Sequence, residues 1–192
     1  MLQVAPKSIH IYLESNPNPN SLKFVVNEVL VPEGMSFDYP DAASAGEAPL
    51  ALELFDYSFV DRVFYMSNFV TVTKKADTEW LEVQNTIKEH IKKFLESGRL
   101  ILDLKAPAQV EVGEETETVK KIKTILDEYI RPAVEQDGGA ITFHSYKDKK
   151  VTVTLQGSCS GCPSSTITLK AGIENLFKKM MPDEVQEVDA LG

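Results

Sequence analysis

Apolar and polar positions alternate along the first half of the chain with the period of strands. His10-Ile-Tyr-Leu-Glu reads as a short strand, and Ser21-Leu-Lys-Phe-Val-Val resumes extended structure. Between them, Asn16-Pro-Asn-Pro-Asn reads as a turn, because proline restricts the backbone before it and asparagine tolerates unusual angles. The stretch from Val31 to Pro49 reads as a loop. Pro49-Leu-Ala-Leu-Glu-Leu-Phe predicts a short helix with proline in its first turn. Val60 to Thr73 is rich in β-branched and aromatic residues and is interrupted at Ser67-Asn68, which predicts a hairpin. The period then changes. Leu81, Ile87, Ile91, Phe94 and Leu95 form the apolar face of a long helix, about Thr78 to Ser97, with Gly98 placed as its terminating glycine.

The second half follows the same grammar in another order. Val119, Ile122, Leu126, Tyr129, Ile130 and Ala133 recur at helical spacing over about 118–136, where Pro132 is expected to kink or shorten the helix. Asp137-Gly138-Gly139 stops it. Ala140 to Tyr146 and Lys150 to Gln156 predict two strands around the polar turn Lys147-Asp-Lys-Lys, with Val151, Val153 and Leu155 alternating. A second helix, about 164–180, turns Leu169, Ile173, Leu176, Phe177 and Met180 to the core. Pro182 stops it, and Glu184 to Ala190 can form a last strand. The order is α-β-β-α-β, which calls for helices on one face of a small sheet.

Charge divides the chain at the same place. Residues 1–97 carry a net −6, residues 98–118 a net −3 and residues 119–192 none, for −9 in all. Four glutamates fall between Glu111 and Thr118, so this stretch repels itself and buries little. The fold class expected is therefore α+β, as two small two-layer domains, 1–100 and 118–192, joined by an acidic linker at 101–117. Leu100-Ile-Leu, at its start, is placed to pack on the first domain. Acidic surface is repelled by phosphate backbones, so a nucleic-acid partner is not expected. No apolar run reaches the roughly 18 residues of a membrane span, and no membrane partner is expected. Met1 to Lys7 shows no basic stretch leading into an apolar core, so no secretory signal is expected. Only two cysteines occur, three positions apart. That is no disulfide scaffold, and it leads to the expectation of a reducing, cytoplasmic location.

The chemistry is concentrated in Cys159-Ser-Gly-Cys162. Two intervening residues let both sulfurs point to one side of a turn, and Gly157 and Gly161 permit close approach of a bulky group. Pro163 suits the first turn of a helix, so Cys162 stands at a helix N-terminus, where thiolate is favoured over thiol. Such a site suits a soft, thiolate-bound centre. One chain offers two thiolates where zinc or an iron–sulfur cluster takes about four ligands, so two chains sharing one site is the simplest solution. None of His10, His90 and His144 has zinc-finger spacing to the pair, and His144 reads as a surface or packing residue on a strand. A redox dithiol, half a zinc site and an inert pair remain open on spacing alone. Asp137-Gly-Gly reads as a helix stop and loop, with approach to a bound cluster as the alternative. Ser158, Ser160, Ser164 and Ser165 are candidate donors to sulfide, though helix capping accounts for at least one of them. The Asn16–Asn20 turn either fixes the start of a strand or recognises a partner.

Ile130-Arg-Pro-Ala, Asp137-Gly-Gly, Val153-Thr-Leu-Gln-Gly-Ser-Cys-Ser-Gly-Cys-Pro-Ser-Ser-Thr and Leu169-Lys-Ala-Gly-Ile-Glu occur in order. This segment, about 118–190, resembles the C-terminal domain of NifU-like (Nfu-type) iron–sulfur cluster proteins. Ile11-Tyr-Leu-Glu-Ser-Asn-Pro-Asn-Pro-Asn-Ser-Leu-Lys-Phe and Phe69-Val-Thr-Val-Thr-Lys, within about 9–96, resemble the Nfu N-terminal domain. The resemblance implies a non-enzymatic scaffold or carrier that holds a labile cluster, [4Fe–4S] in type, on Cys159 and Cys162 and passes it to apo-proteins. It implies a cluster-bridged homodimer, apo client proteins and an upstream assembly scaffold as partners. The alternatives are a dithiol oxidoreductase using the same pair and a zinc-bridged dimer.

Overall fold

The computed structural model describes residues 8–102, 116–160 and 163–192, with 163–165 in backbone only. The chain divides into two compact units, Met1–Pro107 and Ala108–Gly192. Each has its own sheet and core, which is the α+β class expected from the sequence.

The first unit is a five-stranded antiparallel sheet with two helices. Its strands are β1 (Ile11–Ser15), β2 (Ser21–Val26), β3 (Ser36–Tyr39), β4 (Val60–Met66) and β5 (Phe69–Lys74), in spatial order β1-β2-β5-β4-β3. Helix α1 (Pro49–Phe55) begins on its proline, whose missing N–H needs no partner there. Helix α2 (Trp80–Glu96) ends at Gly98, which has φ +72° and donates its amide to Leu95 O. Leu22, Phe24 and Val26 of β2, Val70 and Val72 of β5, Leu50 and Leu54 of α1 and Ile87, Ile91, Phe94 and Leu95 of α2 share one core. Ile101 and Leu102 are buried in that core too, while Leu100 is exposed. The Asn16–Asn20 turn is two successive side-chain-to-backbone bonds, Asn18 N to Asn16 Oδ1 and Asn20 N to Asn18 Oδ1. Asn20 is in turn held by Lys74, through both the Lys74 amide and Nζ. This is the strand-fixing role.

Two expectations fail in this unit. Leu81 is 85% exposed. It lies six residues before Ile87, about 240° around the helix, whereas Trp80, seven before, returns to the core face and packs on it. The loop read between Val31 and Pro49 contains β3, which pairs with β4 from Ser36↔Met66 to Tyr39↔Val63.

The second unit opens with α3 (Glu117–Ile125), capped by Thr116 Oγ1 accepting from Val119 N. A π-turn, Leu126–Ile130, joins it to α4 (Arg131–Gln136). Strands β6 (Gly139–Lys147) and β7 (Lys150–Gly157) form the hairpin. Helix α5 (Pro163–Met180) follows, and β8 (Glu187–Leu191) returns parallel to β7, giving the order β6-β7-β8. Ile122, Ile125, Leu126 and Val134 meet Ile141, Val151, Val153 and Leu155 of the sheet and Ile173 and Phe177 of α5 in one core, with Cys159 at its edge.

The predicted face of the opening helix is corrected at its far end. Tyr129 and Ala133 are exposed, and Val134 is buried instead. Arg131 N bonds Leu126 O, five residues back, so the turn before Pro132 takes one extra residue and moves the inward face on by one. Met180 is also exposed, and Met181 takes the core position. There the chain reverses, with Glu184 N and Val185 N both bonding Met181 O, and this turn points Met181 inward. No helix among the described residues is long and apolar enough to cross a membrane.

Candidate metal centre

The site lies at one end of the second unit's sheet. Gly139, at the start of β6, pairs with Gly157, at the end of β7. Gly138 and Gly157 have φ of +79° and +65°, angles open to glycine at little cost. Through them the α4–β6 connection and the loop leaving β7 are brought side by side.

That adjacency is locked by hydrogen bonds. Ser158 donates its amide to Gly138 O at 3.3 Å and its hydroxyl to Asp137 O. Ser160 N donates to Gly157 O at 3.1 Å, closing a tight turn around Cys159. Thr166 Oγ1, in the first turns of α5, donates to Cys159 O at 3.3 Å. Cys159 is therefore held by residues from β7, from the Asp137–Gly139 loop and from α5. It is 6% exposed. Ser158 Oγ lies 3.8 Å from Cys159 Sγ. Because Ser158 gives its own proton to Asp137, the thiol S–H is the donor of this weak contact.

The sulfur joins the apolar core on one side and comes close to Gly139 on another. A methyl built on Gly139 would stand 3.0 Å from Cys159 Sγ and 2.6 Å from Gln156 O. Asp137-Gly-Gly is thus the helix stop the sequence suggested, and its second glycine also lies against Cys159. The signal was the second glycine. A helix stop needs only one, and Gly139 is the residue whose missing side chain makes room for the thiol.

Cys162 lies outside the described residues, as do the side chains of Ser164 and Ser165. Helix α5 begins one residue after Cys162 and has no acidic side chain in its first turn, so its free amides keep their preference for a negative group. Ser160, between the cysteines, is buried with an Oγ that has no partner among the described residues. A cysteine thiol, the room left by Gly139 and a hydroxyl without a partner among the described residues fit a thiolate-bound cluster as cargo. His144 is exposed, at an irregularity of β6 between Phe143 and Ser145. It lies five residues, roughly 16 Å at strand rise, from Gly139.

Comparison with known proteins adds the following. A family profile described as "Scaffold protein Nfu/NifU N terminal" matches residues 11–98, and one described as "NifU-like domain" matches residues 122–189. A protein of Drosophila persimilis named "NFU1 iron-sulfur cluster scaffold homolog, mitochondrial" is 39% identical over 97% of this chain and 66% of its own length. Its namesake in Drosophila grimshawi is 41% identical over 93% of this chain and 60% of its own length. The chain thus spans about two thirds of the length of the curated relatives it matches. A solved structure, of a NifU-like protein from Saccharomyces cerevisiae, is 25% identical with a TM-score of 0.45, covering 50% of this chain and 85% of that one. One expectation is overturned. The cytoplasmic location drawn from sparse cysteines does not stand against relatives that match nearly the whole chain and are named mitochondrial. Cysteine usage reports a reducing environment and cannot tell one such compartment from another.

Proposed function

This chain belongs to the NifU-like (Nfu-type) family of iron–sulfur cluster scaffold proteins, and from that premise we propose that it holds a labile [4Fe–4S] cluster on Cys159 and Cys162 and passes it to apo-proteins. Two copies supply the four thiolates. The protein has no turnover chemistry of its own. It receives the cluster from an upstream scaffold and works in the mitochondrion, as its relatives' names say of them.

The observation that carries this reading is Cys159 itself. It is a cysteine at the end of the sheet, with Gly139 leaving room beside its sulfur and α5 starting four residues after it. Transfer proceeds by ligand exchange. A client thiolate forms an iron–sulfur bond as a scaffold thiolate leaves, with no change in electron count. The helix N-terminus favours the departing Cys162 as thiolate.

The test is anaerobic reconstitution of the full chain with ferrous iron and sulfide. The expected product is brown, absorbs broadly near roughly 400 nm as thiolate–iron centres do, contains about two iron atoms per chain and runs as a dimer by light scattering. Cys159→Ser is expected to stay folded and to hold no stable cluster. A colourless product containing zinc, or a colourless dithiol that cycles with a disulfide, would replace this reading with one of the alternatives.

A further inference from the structure

The serines around the cysteine pair do not share one role. Ser158 is fully engaged, its hydroxyl by Asp137 O and its amide by Gly138 O. Ser160 is not. Its amide holds the turn through Gly157 O, but its hydroxyl is left over. The residue is 5% exposed, so water does not take the missing partner's place at no cost. Gly192 lies alongside, where an added methyl would come within 3.2 Å of Ser160 Oγ. Glycine at that position leaves the hydroxyl room to turn. A buried polar group without a partner is rare in folded proteins and costs stability until a partner arrives.

We infer that the Ser160 hydroxyl is the donor that meets the sulfur of the bound cluster, a sulfide or the Cys159 thiolate. The inference rests on the function proposed above. Of the three side chains in Cys159-Ser-Gly-Cys162, this is the one strong hydrogen-bond donor. Iron-bound sulfur is electron-rich and accepts such bonds, and those bonds set both the potential of a cluster and how readily it leaves. The hydroxyl has no partner among the described residues before loading, and on this assignment it gains one when the cluster binds. It therefore weakens the empty protein slightly and strengthens the loaded one, a combination that a purely structural serine does not produce.

Ser160→Ala and Ser158→Ala are compared with the wild type as full chains. In thermal unfolding without iron, Ser160→Ala is expected to match or exceed the wild type, whereas Ser158→Ala, which breaks a bond already made, unfolds lower. After anaerobic loading with ferrous iron and sulfide, Ser160→Ala is expected to take up the same iron per chain. It then releases that iron to a chelator about 3- to 10-fold faster, the size of one hydrogen bond, and its reduction potential moves negative. Release and potential equal to the wild type overturn the assignment. So does a Ser160→Ala apo-protein that unfolds lower, because the hydroxyl then has a protein partner. A wild type that takes up no iron overturns the functional reading and this inference with it. A loaded wild type indistinguishable from Ser160→Ala overturns the inference alone.

Discussion

A methyl group at Gly139 would stand 2.6 Å from Gln156 O and 3.0 Å from Cys159 Sγ, and neither neighbour is the free end of a flexible chain. Gly139→Ala must therefore shift β7 or the cysteine loop. Overpacking of this kind costs typically 1–3 kcal/mol. The expected outcome is a lower unfolding temperature together with loss of iron uptake on anaerobic reconstitution. If the variant loaded as the wild type does, Gly139 would not constrain the thiol. A second residue-scale effect lies in the first unit. Burial alone would raise the Glu53 carboxyl, but hydrogen bonds from Arg99 and His90 outweigh it and leave the group below its ordinary value. A group depressed on folding contributes stability at pH above its unfolded value, and that contribution is lost as pH falls through the folded value. Glu53→Gln is expected to unfold at lower temperature than the wild type at pH 7, with the gap closing as pH falls below the ordinary carboxylate range and through the lowered folded value. Thermal scans across that range check it, and a gap constant with pH would contradict it.

At the scale of elements, most of the fold was legible because periodicity and punctuation agreed. Pro49 opens α1, Gly98 closes α2 and Pro182 follows the end of α5, as read. The misses share a cause: the sequence shows spacing, but the phase is set by geometry it does not display. A single extra residue in the π-turn, ahead of the Pro132 that cannot donate an amide bond, exchanges Val134 for Ala133 at the core. β3 escaped because Ser36-Phe-Asp-Tyr is four residues long and becomes a strand only by pairing with β4. The candidate site was half legible. The cysteines and their glycines announce themselves in sequence, whereas the wall made by Gly139 depends on β6 and β7 pairing Gly139 with Gly157. The phase shift makes an element-scale prediction. Val134→Ala empties a buried position and should cost about 1–3 kcal/mol. Tyr129→Ala, predicted costly by plain helical spacing, should be near neutral. Chemical denaturation of both variants reads the difference, and the reverse ranking would mean that the helix runs through without the extra residue.

On the scale of the whole molecule, the chain is two closed cores with different surfaces. The first core draws on residues from Ile9 to Leu102, and the second on residues from Ile122 to Val188. Each sheet pairs only with itself. Both cysteines, the Asp137–Gly139 wall and the whole of α5 belong to the second unit, which carries no net charge from residue 119 onward. The first unit carries the acidic excess and no cysteine. Because its core is drawn from its own stretch of chain, the second unit, taken as residues 116–192, should fold alone, at the modest stability expected of a domain of this size. They should also load with iron and sulfide to the same content per chain as the full protein. Under the proposed function, the role expected of the first unit is choice of client, through a surface whose charge differs from that of the second. Cluster transfer from residues 116–192 and from the full chain, measured in parallel on several apo-acceptors, separates these roles. Equal loading with acceptor-dependent differences in transfer rate is the expected result. Loss of loading in the short chain would show that the second unit depends on the first. Equal rates to every acceptor would leave the acidic unit with no part in selecting them.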